Sequence, residues 1–268
     1  MVNNMQLNNY KQIVILICLN LFINLASSSL TRAQVVIDIT RGNVDPLPIA
    51  ITLFNSDQDK ILVLGQKITD IIKENLQRSG LFKPIDEAAF IEEPSKIVVR
   101  PRFGDWRVIN AQALVTGNLI RLEDGQLKVE FRLWDTYAEQ QMTGFVYTSK
   151  SKNLRRIAHL ISDQIYQRLT GEQGYFDTRI VYVSETGPAD MRIKRLAVMD
   201  QDGANHQFLT DGNDLVLTPR FSPTKQEITY LSYYRNKPRV YIYSIETGQQ
   251  EVLGDFEGMT FAPRFSPD

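Results

Sequence analysis

Metal binding and nucleophilic catalysis are the two kinds of chemistry for which the side chains of this sequence can be searched. A metal site would draw on histidine, but only His159 and His206 occur, and they fall in parts of the chain with different patterns. A serine nucleophile would need a Gly-x-Ser-x-Gly turn, and a bound phosphate a Gly-x-x-x-x-Gly-Lys-Ser/Thr loop. Neither motif occurs. The sequence therefore offers no candidate catalytic, cofactor-binding or metal-binding residues.

One acidic segment and one histidine need a closer look. The segment Asp200-Gln201-Asp202-Gly203 is similar to the start of a calcium loop, but the further ligands and the closing glutamate of that loop are missing. A hairpin turn between two strands explains the segment better. His159 lies between Ala158 and Leu160 in a segment with helical spacing, which favours a structural or surface role over a catalytic one.

A basic loop with aromatic neighbours is a third candidate. Arg100, Arg102 and Arg107 are close in sequence, and Phe103 and Trp106 stand between them. This composition could form a partner surface, but a solvated loop with one packed aromatic side chain is the stronger prediction. The formal net charge of the chain is −1, so no global field favours nucleic acid or a membrane surface.

An internal repeat dominates the last third of the chain. Pro219-Arg220-Phe221-Ser222-Pro223 returns 44 residues later as Pro263-Arg264-Phe265-Ser266-Pro267. The segment from Arg195 to Gly203 likewise aligns with the segment from Arg239 to Gly248. Short strand patterns at this period are typical of β-propeller blades of four strands each. The chain holds about two blades, and a propeller needs roughly four to eight, so we expect a C-terminally truncated propeller.

The N-terminus has the pattern of an export signal. Lys11 precedes an apolar run of about 14 residues, which is short for a membrane span and suits a signal-peptide core. Thr31-Arg32-Ala33 resembles a cleavage site, so the mature chain is expected to begin at Gln34. Cleavage near Ser28 and an uncleaved anchor are the alternatives. The single cysteine, Cys18, lies in the signal core, so no disulfide framework is expected.

The segment between the signal and the repeats alternates between strand and helix patterns. Apolar residues recur at helical spacing in two stretches, one from a cap at Asp57 or Asp59 to Gly80, the other from about Asn153 to Gly171. Asp124-Gly125 predicts a hairpin turn. The predicted strands cover residues 34–40, 49–54, 97–100, 113–122, 127–135 and 142–148.

These patterns together predict the fold class. We expect an α+β N-terminal domain, with two helices on a mixed sheet, followed by an incomplete all-β propeller. The expected boundaries are a signal peptide at 1–33, the α/β domain at 34–170, a linker at 171–177 and the partial propeller at 178–268.

Several segments, taken with this layout, resemble the TolB proteins of the Tol–Pal system. The most specific are Leu169-Thr-Gly171 with the stretch from Gly174 to Val183, and Pro263-Arg-Phe-Ser-Pro-Asp268. Further matches are Asn75 to Phe82 and Leu133-Trp-Asp135. The resemblance covers nearly all of residues 34–268. It implies about six blades, of which this chain would hold two.

The resemblance also implies a function and two partner surfaces. Such proteins are periplasmic, non-enzymatic components of an envelope complex that supports outer-membrane integrity and constriction during cell division, and toxins such as bacteriocins use some of them for entry. The propeller would bind the lipoprotein Pal and an N-terminal arm the inner-membrane protein TolA, with no cofactor. The arm would comprise Gln34, Val35, Val36, Ile37, Asp38, Ile39 and Thr40. The Pal-facing loops would include Leu217, Thr218, Met259, Thr260, Phe261 and Ala262. Some relatives have histidine at the position of Met259.

Two other functional classes stay open on the sequence. An exported hydrolase could use the propeller to gate a catalytic domain, whose nucleophile motif would then lie beyond residue 268. A propeller could also bind a small ligand or a polysaccharide in its channel.

Overall fold

The structure is a computed structural model, and it describes residues 45–56, 58–97, 99–254 and 262–266. The expected signal peptide, its cleavage site and the arm at residues 34–40 lie outside the described residues. The same holds for Met259, Thr260 and Phe261. No helix among the described residues has the length and the apolar character needed to cross a membrane.

The first part of the described chain is built on a five-stranded mixed sheet. Its order is β2-β1-β3-β4-β5, in which β1 pairs in parallel with β2 and β3, and the other neighbours are antiparallel. The Asp124-Gly125 turn joins β3 to β4, and Gly125 has the positive φ of 80° that such a turn needs. The strands are β1 Leu47–Ile51, β2 Phe82–Pro84, β3 Ala113–Arg121, β4 Leu127–Asp135 and β5 Gln140–Ser149.

Three α-helices cover this sheet. They are α1 Asp59–Arg78, α2 Phe103–Val108 and α3 Leu154–Thr170. Helices α1 and α3 bury their apolar stripes against one face of the sheet, and α2 packs on the other face around Trp106. Gly65 allows the close approach of α1, because a Cβ there would lie 2.0 Å from the carbonyl oxygen of Phe54. The predicted pair of long helices on a mixed sheet is confirmed.

The sequence was read wrongly at three local positions in this half. The described residues of the predicted strand at 97–100 are not in a strand, since residue 97 directly follows a 3-10 turn at Pro94–Lys96 and residues 99 and 100 form bends. Helix α1 is capped by Gln58, without a side-chain hydrogen bond, and by neither of the predicted aspartates. The predicted basic loop contains helix α2, whose Phe103 and Trp106 are both buried.

The basic residues around α2 have local structural partners. Arg107 donates to the carbonyl oxygen of Thr136 and pairs with Glu139, which Arg100 also contacts. The Glu92 carboxylate accepts a hydrogen bond of 2.7 Å from the Trp106 indole. These contacts support a structural role for the cluster, although its helix and its two buried aromatic side chains differ from the predicted solvated loop with one packed aromatic.

The second part of the chain forms two antiparallel sheets. The first has three strands and the second has four, in the order β12-β11-β10-β9. A small shared core lies between the sheets, around Leu196, Ile228 and Tyr230. The strands are β6 Arg179–Thr186, β7 Ile193–Asp200, β8 Gln207–Phe208, β9 Val216–Phe221, β10 Glu227–Ser232, β11 Arg239–Ser244 and β12 Gln250–Gly254.

The 44-residue repeat shows which strand of the second sheet has no counterpart in the first. The 44-residue period places β7 in register with β11 and β8 with β12, so β6 corresponds to β10. Within the described part of the chain, no strand takes in the first sheet the place that β9 takes in the second. The edge of β6 that faces away from β7 is unpaired there. An α+β domain followed by sheets of a partial propeller confirms the predicted fold class.

Candidate functional site

Two described residues of the predicted Pal-facing loops, Thr218 and Ala262, share an unusual backbone conformation. Thr218 has a φ of 49° and Ala262 a φ of 41°, and the two occupy equivalent positions of the 44-residue repeat. A positive φ is strained for a residue with a Cβ, and most of all for a β-branched one such as threonine. Both side chains are exposed, and each residue precedes the proline of a Pro-Arg-Phe-Ser segment.

A bulge in the second sheet accounts for the conformation of Thr218. Leu217 pairs with Leu231 and Arg220 with Thr229, so two residues of β9 lie opposite Tyr230 alone. The extra residue bends the strand, and Pro219 is tolerated because a bulge leaves one ladder position without a donor. The bend leaves Leu217 half-buried and turns Thr218 into solvent.

A second cluster joins the two halves of the chain. Arg155 at the start of α3 pairs with Asp202 in the β7–β8 turn, and its Nε donates to Asp200 Oδ2 at 3.2 Å. The Asp202 side chain is only 5% exposed. The predicted hairpin turn is confirmed, because Gly203 donates to the Asp200 carbonyl oxygen at 2.9 Å with a φ of 89°.

His159 lies against this ion pair. It is 3% exposed, and its Nε2 lies 3.7 Å from Asp202 Oδ2 without a hydrogen-bond partner among the described residues. Burial is the main cause that lowers the pKa of His159. Asp202 opposes this effect and Arg155 adds to it. Of the two roles predicted for this residue, the structural one is correct and the surface one is wrong.

The hydrogen bonds of Asn75 fix the tautomer of His159. The Asn75 Oδ1 accepts from Arg78 at 2.9 Å and from Gln201 at 3.2 Å, so the amide nitrogen must point the other way. That nitrogen lies 2.9 Å from His159 Nδ1 and also donates to Ser162. Nδ1 therefore accepts, and the neutral ring carries its hydrogen on Nε2.

The cluster has the residue types of a cation site, but the protonation state of His159 does not suit a bound cation. Ligand atoms of His159, Asp200 and Asp202 lie within 4.8 Å of one another. Arg155 already pairs with both carboxylates, and the Nε2 that faces them carries a hydrogen instead of a free lone pair. An ion would have to displace Arg155 and reverse the Asn75 amide. The arrangement instead fastens α1 and α3 to the first propeller sheet.

The Asp163 carboxylate of α3 holds the linker between the two halves in place. Asp163 of α3 accepts from the backbone nitrogens of Phe176 at 2.6 Å and Asp177 at 3.1 Å. Gly174 fits against the same side chain, because a Cβ there would lie 2.4 Å from Asp163 Oδ1. Burial raises the pKa of Asp163, and the two backbone hydrogen bonds oppose this. The chain thus leaves α3 along a fixed path.

A cleft of about 890 Å³ opens beside the junction, between the two halves. Its lining carries more basic than acidic groups, although Arg155 and Arg156 are already paired with aspartates. The basic residues are Lys152, Arg155, Arg156, Arg179 and Lys225, and the acidic ones are Asp177, Asp200 and Glu246. The two halves therefore touch along one side and are separated along the other.

Both halves of the chain match domains of known proteins. A family model of the TolB amino-terminal domain matches residues 35–142, and a model of the TolB β-propeller domain matches residues 166–268. The crystal structure of TolB from Acinetobacter baumannii matches with 28% sequence identity and a TM-score of 0.71, over 87% of this chain. The chain is TolB-like. It spans 56% of the length of that TolB structure.

Two other solved structures match more weakly. A protein described as a putative TolB from Agrobacterium tumefaciens is 16% identical, with 56% of this chain and 50% of that chain covered and a TM-score of 0.30. The PelC dodecamer from Paraburkholderia phytofirmans is 17% identical, with 47% and 89% covered and a TM-score of 0.31. At these scores neither bears on the fold or function of this chain.

The junction is the feature that inspection of the sequence missed. His159 and Asp202 are 43 residues apart and belong to different element patterns, so no spacing rule links them. The signal that was available is the position of Asp200-Gln201-Asp202-Gly203 in the β7–β8 turn, the second turn after the linker. Because α3 leads directly into that linker, the turn is close enough to return to the helix.

Proposed function

We propose that this chain acts as part of a periplasmic, non-catalytic scaffold of the Tol–Pal type. The observation that carries the proposal is the match of both halves to TolB in the same order, with 87% of the chain covered by one TolB structure. In this role the protein would support outer-membrane integrity and constriction during division, and bacteriocins could exploit it for entry. Export by the signal at residues 1–33 would bring it to the periplasm.

The propeller end is proposed to bind a Pal-like lipoprotein. The surface would comprise Leu217, Thr218, Met259, Thr260, Phe261 and Ala262. Support comes from Thr218 and Ala262, whose positive φ values recur at equivalent repeat positions with both side chains exposed. Backbone strain of this kind persists only where the surrounding structure imposes it, and it concentrates at binding sites.

The arm at residues 34–40 is proposed to bind a TolA-like inner-membrane protein. Its sequence, Gln-Val-Val-Ile-Asp-Ile-Thr, has the β-branched character of a segment that can add to a sheet edge. The arm would be docked in one state and free in another. A partner that binds the two states with different affinity would shift their populations.

The junction is a physical route by which the propeller could influence the arm-bearing half. Asp202 and Gln201 of the first propeller sheet contact Arg155 of α3 and Asn75 of α1. The linker cannot move independently of α3, because Asp163 of that helix binds the backbone of Phe176. A shift of the first sheet would therefore be transmitted to both long helices.

Deletion of residues 34–40 from the full-length protein tests the two surfaces separately. We expect loss of binding to the TolA-like partner and unchanged affinity for the Pal-like partner, measured by calorimetric titration of each purified partner. A matched control replaces the exposed Asp190, in the turn between β6 and β7, with Asn. Unchanged affinity for the TolA-like partner after the deletion would refute the arm assignment.

The Pal-facing assignment has its own test. Phe261→Ala in the full-length protein should weaken binding of the Pal-like partner by about tenfold or more, as expected when an aromatic anchor is truncated at an interface. Binding of the TolA-like partner should keep its affinity when Pal is absent. Equal Pal affinity for Phe261→Ala and for Asp190→Asn would overturn the assignment.

A further inference from the structure

A cleft rich in tyrosine lies between the two propeller sheets. It has a volume of about 530 Å³ and is bounded by the loop from β8 to β9 and by one face of the four-stranded sheet. We call it the tyrosine cleft, after Tyr230, Tyr234, Tyr241 and Tyr243 in its lining. Leu217, Thr218 and Ala262, the described residues of the proposed Pal-facing surface, are not among its lining residues.

The aromatic rings of the cleft are held in place. Tyr230 and Tyr241 stack with centroids 5.6 Å apart and an interplanar angle of 24°. Tyr230 donates its hydroxyl hydrogen to Gln250 Oε1 at 2.7 Å, and burial raises the pKa of this phenol. The ring therefore stays neutral at any physiological pH. Tyr230 and Tyr241 are themselves buried, so the aromatic surface open to a ligand belongs to the more exposed Tyr234 and Tyr243.

The charge in the cleft has one sign. Asp211 and Asp214 line it, and neither lysine nor arginine is among its described lining residues. Asn213 holds the Asp211 carboxylate through its backbone nitrogen at 3.0 Å. The Asp214 carboxylate accepts no hydrogen bond and forms no ion pair within the described part of the chain. It lies near enough to Tyr230 to add to the rise of the tyrosine pKa.

Aromatic faces together with carboxylates form a site for an organic cation. The ring quadrupole attracts a cation over its face, and a desolvated carboxylate adds to the attraction. The rim of the cleft already shows this chemistry, because the Arg235 guanidinium lies 5.2 Å from the centroid of the Tyr234 ring. We propose that the tyrosine cleft binds a lysine or arginine side chain of a partner polypeptide, which places its cation between the tyrosine rings and Asp214.

This inference does not depend on the proposed function, because its test uses a free peptide and neither a Pal-like nor a TolA-like protein. The probes are acetyl-Gly-Lys-Gly-amide and the matched norleucine peptide, titrated into the full chain labelled with 3-fluorotyrosine and followed by fluorine NMR. We expect saturable shifts of the cleft tyrosines with the lysine peptide and at least about tenfold weaker binding of norleucine, which lacks the charge.

Two pairs of variants keep the test specific. Asp214→Asn preserves the shape of the side chain and removes its charge, so it should weaken the lysine peptide about fivefold or more, whereas Asp190→Asn outside the cleft should not. Tyr243→Phe should retain binding because the ring face remains, and Tyr243→Leu should lose it. Equal binding of the norleucine peptide, or equal effects of Asp214→Asn and Asp190→Asn, would overturn the proposal.

Discussion

The five-stranded half and the propeller half of this chain reach stability by different routes. Among the described residues of the first half, 23 buried hydrophobic side chains, most of them from the two long helices and the sheet, form one core. In the described part of the second half, a core of only five buried side chains lies between two sheets, and the first sheet has an unpaired edge at β6. The first half is closed on itself, whereas the second depends on neighbours, namely the junction and any further blade.

This difference teaches why the junction matters. A propeller blade buries its faces against the next blade and cannot do so alone. Here the first sheet also rests on α3 through Asp200 and Asp202, which Arg155 holds. The complete half thus supplies part of the support that the incomplete half lacks. The predictions below test this asymmetry.

The largest effect is expected from a substitution in the core of the first half. In Gly65→Ala, the new Cβ would lie 2.0 Å from the Phe54 carbonyl oxygen, a backbone atom that cannot rotate away. Helix α1 must then move off the sheet, which should cost about 3 kcal/mol of unfolding free energy. Urea unfolding followed by tryptophan fluorescence reports on this half alone, because both tryptophans, Trp106 and Trp134, belong to it.

Gly104→Ala is the matched control for that substitution. A Cβ at Gly104 meets nothing within 4 Å, and the residue lies inside α2. Alanine should therefore stabilise the helix by about 0.5 to 1 kcal/mol. If the two substitutions had the same sign and size, close packing of α1 on β1 and β3 would not be the source of stability.

A smaller effect is expected from Asp202→Asn at the junction. The change removes the charge that Arg155 pairs with and leaves that arginine only Asp200, at a cost of about 2 kcal/mol. The loss should appear mainly in the propeller half, as faster hydrogen exchange of the β10 amides, with little change in tryptophan fluorescence. Asp190→Asn is the control. An equal loss of stability in both halves would show that they unfold as one unit.

The smallest effect is a dependence on pH. The folded pKa of His159 lies below its ordinary value of 6.5, so the unfolded chain binds more protons as the pH falls past that value. The contribution of His159 to stability is therefore complete above pH 6.5. It is lost as the pH falls from there through the folded pKa.

His159→Gln should remove this dependence. Glutamine retains an acceptor for the Asn75 amide but does not titrate in this range. The urea midpoint of the variant, measured between pH 8 and pH 5, should fall less steeply than that of the parent protein. A slope that survives in His159→Gln would assign the dependence to other groups.

The sequence predicted those elements whose signals are local. Gly171 ends α3 with a φ of 81°, and Asp124-Gly125 forms the turn between β3 and β4, both as expected. Helix α2 was missed because it is only six residues long and has no apolar period to detect. The strand predicted at 97–100 was wrong at the described residues 97, 99 and 100, because β-branched character alone does not place a segment in a sheet.

The site was less predictable than the fold for a physical reason. The repeat identified Thr218 and Ala262 as equivalent, but the positive φ of Thr218 arises from a bulge that depends on the pairing of β9 with β10. The ion pair of Arg155 with Asp202 forms only after α3, the linker and the β7–β8 hairpin have folded together. Contacts of this kind follow from tertiary arrangement and leave no period in the sequence.

The central claim is that the propeller and the arm-bearing half act as one coupled scaffold. The most direct measurement is the affinity of the full-length protein for the TolA-like partner, with and without saturating Pal-like partner, in the parent protein and in Asp202→Asn. We predict that Pal changes the affinity for TolA by about fivefold or more in the parent, a typical coupling, and clearly less in Asp202→Asn. The same TolA affinity with and without Pal in the parent protein would contradict the account.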